Sequence, residues 1–443
     1  MVFVRDQQAY FPEGGTMVGI DNQISNPHEN AGCPGEVQPF TAWFTASKYT
    51  HRIAVEILQH GPISRVSLAR RFNLTQGAVS RITNDLAHRG VIREAGTLPQ
   101  ADKDPGSENG GNHSSNSVGR PQQALVVRRE AKTFIGINLH GGTAMATATD
   151  LACRPVGRSH SHHIRQRSPG QVVRMLSNLT QDCMREISQA GLPSPSGLAI
   201  SLGGRAERDR IVTYAPFLHW SEPVDLATQM EKTCNLPCLV FNDLDALALY
   251  EGWFGDGIGL DRFALITMGS GIGYALSEHS MPVSSPDEGF GLIGHQLVDP
   301  DGPVCYLGHR GCAQCLTTGS LTEQYSHAIG QAANLDKLVK DLEEDMPQAE
   351  TLLNLTGYRL GVLIALVANA ALPDKVLVSG ETSYLMKRCI ESVRKGIASF
   401  RHSQMVEVPV RIIGGDWLRW AQAPAARAIA RYLQGPEEAD KPI

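Results

Sequence analysis

The chain has 443 residues, 42% of them hydrophobic and 19% charged, with a formal net charge of −5. That length and composition suit about three globular domains, each with a sizeable buried core. They exclude a membrane-spanning reading: the longest apolar run, Leu360 to Leu372, is Ala-rich, too short for a bilayer span, and reads as a buried helix. Near the N-terminus, Arg5 and Asp6 stand without an apolar signal core, so a cytoplasmic protein is expected. The nine cysteines are scattered, except that Cys305, Cys312 and Cys315 cluster, which in a reducing compartment points to a metal before a disulfide.

Residues 1–46 lack periodicity and carry Gly14-Gly15, Pro27, Gly32 and Pro34-Gly35, the pattern of a poorly ordered extension. A helix from Ser47 to Gln59 then sets Tyr49, Ile53 and Ile57 on one face, ahead of the Gly61-Pro62 break. In the following stretch, SRVSLARRFNLTQGAVSRITNDLAHRGVIR, the spacing predicts two short helices joined by a turn and followed by a strand. Ser64 can cap a helix whose apolar face is Leu68, Ala69 and Phe72, with Asn73 in the turn. Thr75 can cap the next helix, where Ala78, Val79, Ile82 and Leu86 recur toward a core. Gln76, Ser80, Arg81 and Asn84 are left on its outer face. This is the pattern of a winged helix-turn-helix, a module whose second helix enters the major groove of double-stranded DNA.

From Ser47 to Gly96 eight Lys or Arg face three acidic residues, so the segment is +5 within a chain of −5. A basic surface on an acidic protein is the asymmetry of a domain that meets phosphate, although an Arg-rich helical domain that binds a protein has the same composition. Residues 97–119 are polar and low in complexity, a flexible insertion between the Val91-Ile92 and Leu125–Val127 strands of the wing. Arg120, just beyond it, is either a minor-groove contact or an exposed linker cation. The DNA-binding domain is expected over 47–132.

From Thr133 apolar runs end in glycine turns: FIGINLHGGT, GLAISLGGR, CLVFNDLDA, FALITMGSGIG, KVLVSGE and VRIIGG. Strands of this kind, alternating with helical stretches, indicate an α/β fold with mixed sheets in two lobes, 133–243 and 244–434, followed by a tail, 435–443. Ligands are expected in the cleft at the carboxyl ends of the strands.

These turns, in this order, resemble the ROK family of repressors, open reading frames and kinases, and the resemblance covers Ser47 to about Leu433. It implies an N-terminal winged helix-turn-helix followed by a duplicated actin-like, ribonuclease-H-like sugar-kinase fold. The family's first phosphate turn, Asp-x-Gly-Gly-Thr, corresponds to Asn138 through Thr143, and the carboxylate is replaced by Asn138. Without that charge the organisation of hydrated Mg²⁺ is lost. The second turn, Met268 through Gly273, is followed by Tyr274 where a further glycine is usual, and its ring would crowd a phosphate.

Asn242-Asp243 matches the pair whose carboxylate takes a proton from the sugar hydroxyl, so Asp243 is the best general base in the chain; it is equally an ordinary helix cap. The resemblance assigns ligand binding to Gly204, Asn242, Asp243 and His295. In the sugar motif Glu-x-Gly-His, the carboxylate is replaced by Leu292, and a second expected Glu is Gln314. Each loss removes charge-assisted hydrogen bonds worth about 1.5–3 kcal/mol.

The same segment resembles the family's structural zinc loop. Leu307 stands at the position of its middle cysteine, so the implied zinc ligands are His295, Cys305, Cys312 and Cys315, with His309 in reserve. Val378-Ser379-Gly380-Glu381 falls where paired glycines meet adenosine, leaving a vestigial nucleotide half. A C-terminal Ala/Arg helix, Ala425 to Leu433, would pack near the DNA-binding domain, and Trp417 and Trp420 are expected in packing. The function implied is a non-enzymatic, homodimeric or homotetrameric repressor of carbohydrate genes, with operator DNA as partner and a sugar or sugar-derived effector. The alternative is an ATP-dependent sugar kinase.

Overall fold

The structure, a computed structural model, describes residues 40, 43–44, 46–98, 122–285 and 289–434. Arg120, the tail, and most of the expected N-terminal extension and flexible insertion lie outside the described residues.

The first module comprises α1 (Lys48–His60), β1 (Ile63–Ser64), α2 (Arg65–Phe72), α3 (Gln76–His88), β2 (Ile92–Leu98) and β3 (Gln122–Val127). Its helix starts follow local chemistry. The Ser64 hydroxyl accepts from the Ser67 amide at 3.0 Å, the Thr75 hydroxyl accepts from the Ala78 amide at 3.2 Å, and Asn73 turns the chain with φ 50°. Ile53, Ile57, Leu68, Val79, Leu86 and Leu125 close a common core. The strands form a sheet of order β1-β3-β2, and the antiparallel pairing Ile92↔Val127 joins the segments on either side of 99–121 as a hairpin.

One expectation is corrected here. Trp43 and Phe44 belong to the stretch read as an extension, yet Trp43 stacks on Tyr432 (centroids 5.6 Å) and Phe44 stacks on His51 (4.9 Å). Aromatic side chains this large are drawn out of water whatever the polarity of their neighbours.

The first lobe runs through β4 (Thr133–His140), β5 (Thr143–Asp150), β6 (Pro155–His163), α4 (Pro169–Gln189), β7 (Leu198–Leu202), β8 (Arg205–Glu207), β9 (Ile211–Tyr214), β10 (Val224–Asp225), α5 (Leu226–Cys234) and β11 (Cys238–Asn242). The second follows with α6 (Asp243–Phe254), β12 (Arg262–Met268), β13 (Ile272–Glu278), β14 (Met281–Pro282), α7 (Thr318–Ile329), α8 (Leu335–Glu343), α9 (Pro347–Ala371), β15 (Lys375–Ser379), α10 (Ile390–Ser399) and β16 (Val410–Gly414), and the chain closes with α11 (Trp417–Gln434).

The two large sheets, β11-β7-β4-β5-β6 and β14-β13-β12-β15-β16, repeat one topology. In each, a central strand pairs antiparallel with the next strand and parallel with a later one: β4 with β5 and β7, β12 with β13 and β15. The duplication expected from the glycine turns is therefore present in the strand pairing. Helix α9 is long and apolar enough to cross a membrane by length and composition, but 72% of its most apolar window is buried. Its Leu360, Leu363 and Ile364 belong to the core of the second lobe.

Helix α11 returns to the first lobe. It presses on β4 so closely that a Cβ on Gly136 would lie 2.2 Å from the Ala421 carbonyl oxygen. Its Ala425, Ile429 and Leu433 share a core with Ile53 and Ile57 of α1 and with Phe134 of β4. Helix α11 thus ties the N-terminal module to the first sheet.

Candidate functional site

In the cleft, the β4–β5 hairpin turns at Gly141 and Gly142, with φ 55° and 114°, and the β12–β13 hairpin pairs Met268 with Ile272 around Gly269, Ser270 and Gly271. Asn138 is buried and donates to the Ser201 hydroxyl at 3.0 Å, so its amide serves the sheet. Tyr274 lies next to the second turn, half-buried and packed against the second-lobe core.

Of the four residues expected to bind ligand, Gly204, Asn242 and Asp243 lie together, while His295 stands with the cysteines described below. The Asn242 side chain donates to the Gly204 carbonyl at 2.6 Å and accepts from the Leu244 amide at 2.9 Å, capping α6. Asn242, not Asp243, therefore occupies the capping position, because the neutral amide can both donate to the turn and accept from the helix. Asp243 follows in the first turn of α6, buried, with its Oδ2 3.4 Å from the place of a Cβ on Gly203. Burial pushes its carboxyl up from the usual carboxylate range, against the opposing pull of His140.

His140, at the end of β4, links the lobes. Its Nε2 is 3.2 Å from Glu381 Oε1, and Glu381 Oε2 accepts from the Thr318 hydroxyl at 3.1 Å. Burial lowers the imidazole's proton affinity, but the hydrogen bond to Glu381 and the charges of Asp243 and Glu381 outweigh it, and the net direction is upward. Glu381 is held down, first by the hydrogen bond from His140. On its other side His140 packs against Trp417 and Trp420, with centroids 5.0 and 6.1 Å away. Sequence reasoning did not find this bridge. Its one signal was a charged residue, Glu381, in a glycine-rich strand end.

A second grouping lies in the loop 295–312. Donor atoms of His295, Cys305, His309 and Cys312 all lie within 4.8 Å of one another. His295 Nδ1 is 3.3 Å from His309 Nδ1, 3.8 Å from Cys305 Sγ and 4.0 Å from Cys312 Sγ. Tetrahedral zinc with two thiolates and two imidazoles needs donors about 3.3–3.8 Å apart, so the residues present fit the ion. The group differs from the expected set in one member: His309, the reserve ligand, stands in it where Cys315 was expected. Cys315 is buried among apolar side chains of the second lobe, where burial pushes its thiol up to about 11. The turn from Cys305, closed by its carbonyl accepting from Gly308 at 2.9 Å, carries His309 into the group instead. His295 directs Nδ1 to this group and Nε2 toward the Tyr306 hydroxyl at 3.3 Å.

In the N-terminal module the candidate DNA contacts are the cap and one face of α3. Thr75, Gln76, Arg81 and Asn84 are exposed and Ser80 is half-buried. Asn84 accepts from Arg65 at 3.4 Å, while among the described residues Arg81 has no side-chain hydrogen bond or ion pair.

A family model described as "ROK family" matches residues 134–419. The chain belongs to the ROK family. It is 24% identical over 352 residues to the DNA-binding transcriptional dual regulator NagC of Escherichia coli K12, covering 76% of this chain and 82% of that protein. It is 25% identical over 362 residues to the xylose repressor of Bacillus subtilis 168, covering 79% and 86%. Among solved structures, a ROK family transcriptional regulator homologous to the Escherichia coli Mlc protein superposes with TM-score 0.67 at 22% identity, over 87% of this chain and 96% of that one. A ROK family glucokinase from Streptomyces griseus, solved with glucose and AMPPNP, superposes with TM-score 0.56 at 19% identity over 66% and 98%, which establishes the fold of the two lobes.

Proposed function

We propose that this chain is a transcriptional regulator of carbohydrate genes: the N-terminal module is a winged helix-turn-helix that binds operator DNA, and the two lobes sense a sugar or sugar-derived effector. The observation that carries the reading is the run of α11, whose first turn packs its tryptophans on His140 in the cleft and whose last turn meets α1. Rearrangement of the lobes around a ligand would move α11 and with it the module, a coupling between sites that is necessarily reciprocal. In a homodimer or homotetramer, such movement alters the separation of paired α3 helices, which must match half-sites about one helical turn apart.

Thr75, Gln76, Ser80, Arg81 and Asn84 would contact DNA; Gly204, Asn242 and Asp243 would line the effector site. Zinc held by His295, Cys305, His309 and Cys312 would fix the loop beside the cleft as a closed structural site, with no open position for chemistry. The test is selection of genomic fragments by the purified chain. Discrete enriched sites whose binding changes with a sugar support the reading, and absence of enrichment contradicts it.

One observation favours a second reading, a sugar kinase: the Asp243 carboxyl is buried in the first turn of α6, next to the capping Asn242, where a general base would stand. Against it, the carboxylates expected at the first phosphate turn and in the sugar motif are Asn138 and Leu292. A coupled nucleotide-turnover assay over a panel of sugars separates the two. The regulator reading predicts none; turnover lost in Asp243→Asn would establish the kinase.

A further inference from the structure

Three groups converge on one carboxylate. Glu381 receives the Thr318 hydroxyl at 3.1 Å and stands 3.2 Å from the His140 imidazole. Thr318 opens α7, a helix of 12 residues, so the same carboxylate lies at the end of that helix where the helix dipole favours a negative charge. The glycine turn β12–β13 is on the same spot: a Cβ on Gly269 would be 3.6 Å from the Glu381 carboxyl group, and the Gly269 carbonyl accepts from the Thr318 amide at 2.8 Å. A hydroxyl, an imidazole and a helix start make a set of donors suited to an anion. In this chain the anion is internal.

Asp243 also bears on this imidazole: its charge raises the proton affinity of His140, and His140 pulls the buried carboxyl's affinity down against the upward push of burial. Any phosphate entering here would have to displace Glu381 from its donors and would meet a second carboxyl group. An uncharged polyol meets no such opposition and finds carboxylate acceptors for its hydroxyls.

We propose that Glu381 sets the charge selectivity of the cleft: its carboxylate fills the anion cradle formed by Thr318, His140 and the start of α7, so that the cleft admits uncharged ligands and rejects phosphorylated ones. The proposal rests on the reading of the cleft as an effector site, but its test does not depend on DNA or on knowing the effector. It also assigns the contact between His140 and Glu381 a second part, a tie between lobes that holds without any ligand phosphate.

The test is calorimetric titration of inorganic pyrophosphate into the full chain and into Glu381→Ala, His140→Ala and the double variant Glu381→Ala with Thr318→Val. Glu381→Ala should bind pyrophosphate about tenfold or more tightly than the unaltered chain, the worth of one hydrogen bond to a charged group. His140→Ala breaks the tie between lobes but keeps the resident carboxylate, and should gain nothing. The double variant should lose what the single one gained. Pyrophosphate binding to the unaltered chain as tight as to Glu381→Ala, or no gain in Glu381→Ala, overturns the proposal. Failure of DNA selection alone would leave these binding results standing and count only against the regulator reading.

Discussion

The imidazole Nδ1 of His51 in α1 lies 2.5 Å from the main-chain carbonyl oxygen of Leu433 in the last turn of α11, between residues 382 positions apart. A carbonyl only accepts, so Nδ1 carries the hydrogen and the tautomer is fixed. Both groups are buried, and Trp43 reinforces the contact by donating its amide to the Tyr432 carbonyl at 2.7 Å. Replacing His51 by Ala would leave a buried carbonyl unpaired at a cost of about 1–3 kcal/mol. Hydrogen exchange should then show α1 and the last turn of α11 opening together, with the second lobe unaffected. Unchanged protection in both helices would refute the contact's role.

Gly136 tests the docking of α11 on the first sheet. An added methyl would meet the Ala421 carbonyl oxygen at 2.2 Å and Ala425 at 3.0–3.1 Å, all helix atoms that move only with the helix. Overpacking of this kind costs about 1–3 kcal/mol. Gly136→Ala is therefore expected to lower the melting temperature and to raise protease sensitivity at the C-terminus. Gly141→Ala, with open space around its Cβ, bears only the strain of φ 55° and should cost less.

The metal group makes a prediction by residue. Zinc content of the purified chain should fall in Cys305→Ser, Cys312→Ser and His309→Ala, and persist in Cys315→Ser, whose thiol faces the apolar core. Loss of zinc in Cys315→Ser with retention in His309→Ala would restore the set expected from sequence.

The pair His140–Glu381 carries a pH signature. The imidazole's proton affinity is raised, so its contribution is complete at low pH and is lost as pH rises through the folded-state value. The Glu381 carboxyl is lowered, so its contribution is complete at higher pH and is lost as pH falls through its folded-state value. Both charges coexist from below the ordinary carboxylate range to above the ordinary imidazole value of about 6.5. A double-mutant cycle of His140→Ala and Glu381→Gln should give a larger coupling near pH 5.5 than near pH 8. Asp243, whose carboxyl is raised, remains in all four proteins and cancels only to the extent that it ignores the substitutions. Equal coupling at the two values would show that the contact is not ionic.

Where the governing interaction is local, the sequence was readable. Ser64 and Thr75 cap helices because a hydroxyl three residues ahead of a free amide is placed to accept from it, and both caps are present. The glycine turns were readable for the same reason, since Gly141 and Gly142 adopt positive φ between paired strands. The metal loop was readable as a set of candidates, three members named as ligands and His309 in reserve, but linear spacing does not say which way a side chain points, and the short turn at 313–316 aims Cys315 inward. His140 and Glu381 meet across 241 residues and two lobes. No periodicity or motif encodes such a pairing, because it exists only once both sheets are folded and facing. The same holds for Trp43 and Tyr432, whose contact depends on α11 crossing back to the first lobe.

The central claim is that α3 reads DNA sequence on behalf of the cleft, and Arg81 is its most direct probe: exposed on α3 and, among the described residues, without a side-chain partner. The measurement is the affinity of the chain and of Arg81→Ala for an enriched genomic fragment and for an unrelated one, across a salt series. The account predicts that the chain prefers the enriched fragment by about a thousandfold or more, and that Arg81→Ala loses about 1–3 kcal/mol on that fragment and much less on the other. Equal affinity of the unaltered chain for both fragments, or an Arg81→Ala variant that keeps the full preference, would contradict it.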